Sequence, residues 1–220
     1  MGSLSRTPLL VDWHAEYLET RDATAFTRLL VRRYVPGTLE RLLAAGPREQ
    51  RRAAATALGL IGEYDSNAAL GCALTDSDRG VRLAAEESIR AVWLRIGTAA
   101  QRERLATIIR LNDMKQFRTA IARSTELIRE AQWCAEAWNQ RAAAHFGLHR
   151  FVESIGDCRE ALELNPYHFA AAAGMAQCYL QLGNTASALD CFQRALRINP
   201  GLEGVRANVQ QLERTNRPKQ

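Results

Sequence analysis

Residues 137–166, AWNQRAAAHFGLHRFVESIGDCREALELNP, and residues 169–200, FAAAAGMAQCYLQLGNTASALDCFQRALRINP, carry the same landmarks at one offset. Asn165-Pro166 recurs as Asn199-Pro200, an offset of 34, and the same step relates Ala161 to Ala195, Leu162 to Leu196 and Ser154 to Ala188. One step earlier, Ala120 falls in register with Ser154, and Phe117 with Phe151. A fixed period of this length marks supersecondary units that bury their apolar faces only by stacking. The residue types fit antiparallel helices. Ala142, Ala161, Ala176, Ala188 and Ala195 let backbones approach, and Trp138, Tyr179 and Phe192 fill the remaining space. Asn-Pro closes each unit, because proline cannot extend the helix before it.

This period, with its Trp, small-residue and Pro landmarks, resembles the tetratricopeptide repeat, a helix–turn–helix unit. In the first stretch the family's Trp is Trp138, its small contact residue Ala142 and its closing Pro Pro166. In the second the matching positions are Tyr179, Gly183 in the turn, Ala188, Phe192, Ala195 and Pro200. His145, Cys158 and Ala172 depart from the usual aromatics. Two repeats are therefore expected over 135–200. Residues 98–134 have the length and Ala120 but lack the Trp and Pro, and are expected to form a degenerate repeat or bridging pair. Residues 201–215, with Val205, Val209 and Leu212 on one side, are expected to cap the array, leaving 216–220 as a tail.

The first half repeats differently. QRRAAATALGLIG (50–62) and VRLAAEESIRAVW (81–93) align at an offset of 31, pairing Arg51 with Arg82, Ala54 with Ala85, Leu58 with Ile89 and Ile61 with Val92. NAALGCALTDSDRG between them supplies a short helix and an acidic turn. The pattern resembles the HEAT repeat in its short bacterial form related to phycobilisome-lyase proteins, and is expected over 23–97. Pro36-Gly37 and Gly46-Pro47 split 23–62 into three helices, Thr98 with Gln101 makes a capping box, and residues 1–22 supply an N-terminal helix. Together the resemblances imply an all-α, right-handed α-α superhelix with HEAT-like pairs followed by tetratricopeptide pairs.

Composition points to a globular chain of 47% hydrophobic and 24% charged residues. No apolar run reaches the roughly 18 residues of a membrane helix, and MGSLSRTPLL lacks an extended apolar core of a signal, so a cytoplasmic protein is expected. Cys72, Cys134, Cys158, Cys178 and Cys191 form no CxxC pair and read as small core residues. Among the basic residues 27 are Arg and 2 are Lys, which points to a GC-rich bacterial source. The net charge of +5 is spread among acids, with 20 basic and 16 acidic residues in 1–134. A footprint for phosphate needs basic residues clustered on one face. Nucleic-acid binding through Arg28, Arg32, Arg33, Arg51, Arg52 and Arg82 is thus the weaker alternative, as is an accessory role in an enzyme complex.

No catalytic residue, metal or cofactor is expected. Asp76-Ser77-Asp78-Arg79-Gly80 lacks the third oxygen ligand of a calcium loop and reads as a helix cap. His145 and His149 lack the Glu of a zinc-protease motif, and GxGxxG, GxxxxGK[ST] and GxSxG are absent. The function implied by the resemblance is protein interaction, with a peptide or helix of a partner held in the concave groove. The resemblance places Glu136, Asn139, Gln140, Ala143 and Phe146 there from one repeat, and Ala170, Ala173, Gly174, Gln177 and Leu180 from the next. Co-chaperone members of the family hold acidic tails with a carboxylate clamp of Lys, Asn and Arg. Here Gln140, Ala170 and Gly174 occupy those positions, so the clamp is missing and the floor is nearly uncharged. The chain's own C-terminal segment or a second copy is the alternative occupant.

Overall fold

A computed structural model describes residues 8–215, which form thirteen α-helices, one 3-10 turn and no strand. The sequence-expected tail at 216–220 and the first seven residues of the N-terminal segment lie outside the described residues. The chain divides after Arg95 into two compact units.

The first unit contains α1 (Leu9–Thr20), α2 (Ala23–Arg33), α3 (Pro36–Ala45), α4 (Arg48–Ile61), α5 (Asn67–Ala73) and α6 (Arg79–Trp93). Its centre is α4, which packs against α1, α2, α3 and α6. A helix surrounded in this way cannot be bulky on all sides. Ala53, Ala54, Ala55 and Ala57 are fully buried, and Leu58 is the large side chain among them. At Gly59 the contact with α6 is closest: a Cβ there would stand 2.3 Å from Ser88 Oγ. α1 closes the other side of α4, with His14 Nε2 3.1 Å from Thr56 Oγ1 and Tyr17 stacked on Phe26 at 5.1 Å.

The acidic turn between α5 and α6 is a cap tied to the preceding helices. Asp78 accepts from Val81 N at 3.0 Å, and Asp76 takes a two-point contact from Arg51 at 2.8 and 2.9 Å while accepting from Asp78 N. Arg51 Nη1 also donates to Gly46 O, and Arg82 Nη1 donates to Ser77 O. Arg51 and Arg82 are equivalent in the sequence repeat of this unit, and each closes the turn before its own helix. Trp93 Nε1 donates to Asn67 Oδ1 at 2.7 Å.

The second unit holds α7 (Ala99–Asp113), α8 (Phe117–Glu130), α9 (Ala135–Gly147), α10 (Phe151–Leu164), α11 (Phe169–Gln181), α12 (Thr185–Ile198) and α13 (Glu203–Thr215). The starts of α8, α10 and α12 keep the step seen between the two Asn-Pro pairs, and so do those of α9, α11 and α13. α7 opens with the expected capping box, Thr98 accepting from Gln101 N and Gln101 from Thr98 N. Ala142, Cys158, Ala161, Ala171, Ala172 and Cys178 form the central core, flanked by Trp138, Phe146, Phe151 and Tyr179. α13 covers the last pair, with Val209 buried against Ala176 and Phe192.

The turns inside the pairs show the period in the backbone. Lys115, His149 and Gly183 all adopt left-handed φ, at 57, 59 and 73°, and they recur at the same step as the helices. Glycine takes this conformation freely, whereas a side chain there is strained. Lys115→Gly is therefore expected to stabilise the chain by about 0.5–1 kcal/mol, seen as a higher denaturant midpoint at unchanged slope.

Candidate functional site

α9 and α11 are first helices of successive pairs and pack against each other. The face they build is set by what its polar residues already do. Glu136, only 7% exposed, accepts from Gln140 Nε2 at 2.6 Å and Asn139 Nδ2 at 3.3 Å through Oε1. Its Oε2 lies 2.9 Å from Nε2 of the fully buried His168. Nδ1 of His168 accepts from Ala171 N at 3.1 Å, so the ring proton sits on Nε2 and is donated to Glu136. One imidazole thus caps α11 and holds α9. Burial pushes the Glu136 carboxyl up, but the hydrogen bonds from His168, Gln140 and Asn139 outweigh it and hold the group below the usual carboxylate range. Asn112 of α7 extends the network, donating through Nδ2 to the backbone and side-chain oxygens of Gln140 at 2.9 and 2.8 Å.

The ten residues expected to line the groove divide accordingly. Glu136 and Gln140 are engaged inside the network. Phe146 packs edge-on to Phe151 at 5.5 Å, and Leu180 packs on the Ala176–Phe192–Val209 cluster. Ala143 is exposed, while Asn139, Ala170, Ala173, Gly174 and Gln177 are half-buried and uncharged. His168 and Asn112 are members that sequence reasoning missed. His168 follows the Asn165-Pro166 turn, where a cap residue is due, and that position was the available signal.

A second network ties α8, α9 and α10 on another side. Arg141 makes a two-point contact with the buried Asp157 at 2.8 and 2.7 Å, reaches Thr125 at 3.1 Å and lies 4.8 Å over the Trp138 ring. His145 Nε2 is 3.8 Å from Asp157, and burial lowers its pKa. His149 sits at the exposed turn, so the two histidines do not converge. Burial pushes the thiol of Cys134 up to about 11 and that of Cys158 higher still, which leaves both as core side chains without thiolate character. Of the six arginines considered for nucleic acid, Arg51 and Arg82 are committed to turn carbonyls and Asp76, while Arg28, Arg32, Arg33 and Arg52 are exposed.

Comparison with known proteins bears on the second unit. The tetratricopeptide repeat family model matches residues 133–200. A TPR repeat-containing protein of Rhizobium etli is 36% identical over 66 residues, covering 30% of this chain and 32% of that protein. The Hsp70-Hsp90 organizing protein of Triticum aestivum is 28% identical over 72 residues, 33% of this chain and 12% of its own. The chain thus spans a third or less of either relative. Among solved structures, the TPR2B-domain:pHsp70 complex of yeast Sti1 superposes with a TM-score of 0.50 at 22% identity, covering 54% of this chain and 100% of that one. The first TPR of Spaghetti (RPAP3) bound to an HSP90 peptide gives 0.51 at 17% identity, covering 55% and 95%. These likenesses establish the helical repeat fold.

Proposed function

We propose that the protein is a non-catalytic interaction scaffold whose concave face along α9 and α11 holds a peptide or helix of a partner protein. One observation carries this reading: Asn139, Ala143, Ala170, Ala173, Gly174 and Gln177 are uncharged and exposed or half-buried on α9 and α11, two helices that the Glu136–His168 contact ties together. Small residues let a helix or extended segment approach closely, and the two amides supply donors and acceptors for its backbone. The repeat match over residues 133–200 supports the same reading, as do relatives and neighbours named for Hsp70 and Hsp90.

The ligand differs from an acidic chaperone tail. Gln140 already bonds Glu136 and Asn112, and Ala170 and Gly174 bring no cation. The first unit is read as HEAT-like, supported by the turn-closing arginines Arg51 and Arg82 at equivalent positions of its repeat. The scaffold is assigned to the cytoplasm of a bacterium, and self-association through the α9–α11 face is the alternative mode of covering it.

Ala173→Glu tests the site. Burying an unpaired carboxylate in a complex is expected to weaken capture of a partner, identified by pull-down from the native organism, by at least about 100-fold in a variant that stays folded, with some loss of stability because Ala173 packs against the core of the second unit. A partner that binds the folded variant with unchanged affinity does not use this face.

A further inference from the structure

The first unit contains a groove of ≈ 390 Å³ enclosed by α1, α4 and α6, which plays no part in the reading above. Its lining includes Arg21, Arg52 and Arg95, against Glu87 as the sole carboxylate among the described residues. Arg95 is committed, donating to Gly62 O at 2.7 Å and to Gly59 O. The guanidinium groups of Arg21 and Arg52 have no hydrogen-bond acceptor or ion-pair partner among the described residues. Arg52 lies beside the first turn of α6, where a Cβ on Gly80 would meet its Nε at 3.4 Å. His14 adds no charge at neutral pH, since burial and the charge of Arg52 push its pKa down to about 4. The lining also holds Tyr17, Leu18, Leu60 and the exposed Leu83 as apolar surface, beside the hydroxyls of Thr56 and Ser88.

We propose that this groove is a second peptide site, which takes an acidic side chain of a partner protein on Arg52 and Arg21 and a neighbouring apolar side chain against Leu60 and Leu83. The charge complementarity selects a carboxylate, and a guanidinium offers it two parallel donors. The volume suits a short stretch of peptide and exceeds what a single ion fills. Nucleic acid fits less well. A phosphate backbone needs a continuous basic track, and here the arginines share the groove with Glu87 and with the apolar side chains of Leu18, Leu60 and Leu83.

The probe is a fluorescein-labelled, end-blocked peptide in which Glu and Leu alternate, titrated against the full chain by fluorescence anisotropy. Saturable binding in the range of about 10–100 μM is expected. The Gln–Leu counterpart should bind at least about tenfold more weakly, and the Lys–Leu counterpart should not compete. The double variant Arg21→Glu/Arg52→Glu and the wall variant Leu83→Asp should each weaken the Glu–Leu peptide by at least about tenfold, with melting temperatures within a few degrees of the parent. Ala173→Glu should leave this binding unchanged, which separates it from the α9–α11 face of the second unit. No saturable binding, unchanged affinity in the folded arginine double variant, or loss of binding in Ala173→Glu would overturn the proposal. Tighter binding by single-stranded oligothymidylate than by the Glu–Leu peptide would overturn it in favour of nucleic acid.

Discussion

His168→Ala is expected to lower the stability of the second unit by about 3–5 kcal/mol, because it removes a hydrogen-bond donor from a buried carboxylate and leaves a void beside it. Both side chains are out of solvent, so water cannot take the place of the imidazole. Hydrogen exchange in the full chain should show the amides of α9 and α11 losing protection together, with a fall in melting temperature of about 10 °C. Asn139→Ala, which removes a 3.3 Å contact from a half-buried side chain, should cost far less. The same network gives the acid response its sign. The Glu136 carboxyl is held low in the folded chain, so its contribution is complete above the unfolded carboxylate pKa of about 4.3 and is lost as the pH falls through the lower folded value. Glu136→Gln should flatten that part of the stability profile. An unchanged acid limb in this variant, or a His168→Ala protein as stable as the parent, would show that the network is incidental to the packing of α9 on α11.

Gly59→Ala is expected to have the largest effect in the first unit, about 2–3 kcal/mol of destabilisation from the addition of one methyl group. The new Cβ would lie 2.3 Å from Ser88 Oγ and 2.8 Å from its Cβ, well inside van der Waals contact, and 3.0 Å from its Cα. The hydroxyl can rotate away, but the backbone of α6 cannot, so α4 and α6 must separate. A compensating change on the facing helix identifies the cause. Gly59→Ala/Ser88→Gly should recover about half of the loss even though it adds a helix-interior glycine, and the coupling should appear as non-additivity in a double-mutant cycle. Strict additivity would mean that the helices do not meet at this point.

How much of this was legible depended on which atoms carried the period. Over residues 135–200 the repeat is written in side chains, with alanines at the contacts and Asn-Pro at the ends. Asn165 and Asn199 each accept from the amide two residues on, at 3.1 and 2.8 Å, which turns the chain after the helix. In the preceding pair Ala131 has a similar backbone, φ −137° against −138° at Asn165 and −133° at Asn199, without the side chain that advertises it. Lys115 likewise stands where Gly183 does, which hides a left-handed turn from a reading of residue types. α7 and α8 looked degenerate because the backbone kept the period while the side chains lost it.

The neutrality of Ala170, Ala173 and Gly174 was readable, since absence of charge is a property of composition. The engagement of Glu136 was not. Its partner is 32 residues away and reaches it only once α9 and α11 are aligned, so a carboxylate expected to face a ligand is instead buried in the contact between these helices. Arg51 escaped in the same way, because its acceptor Asp76 belongs to a turn 25 residues later.

The constant step from α8 through α13 has an evolutionary side. Because equivalent helices recur at one interval, a tandem duplication of one period recreates the same kinds of interface wherever its end points fall. What is inherited is the phase of the pattern, and no particular boundary between units is privileged. Such a chain can lengthen or shorten by recombination without passing through an unfolded ancestor. The pairing of Glu136 with His168 resists such copying, and it marks one junction as individual within an otherwise interchangeable series.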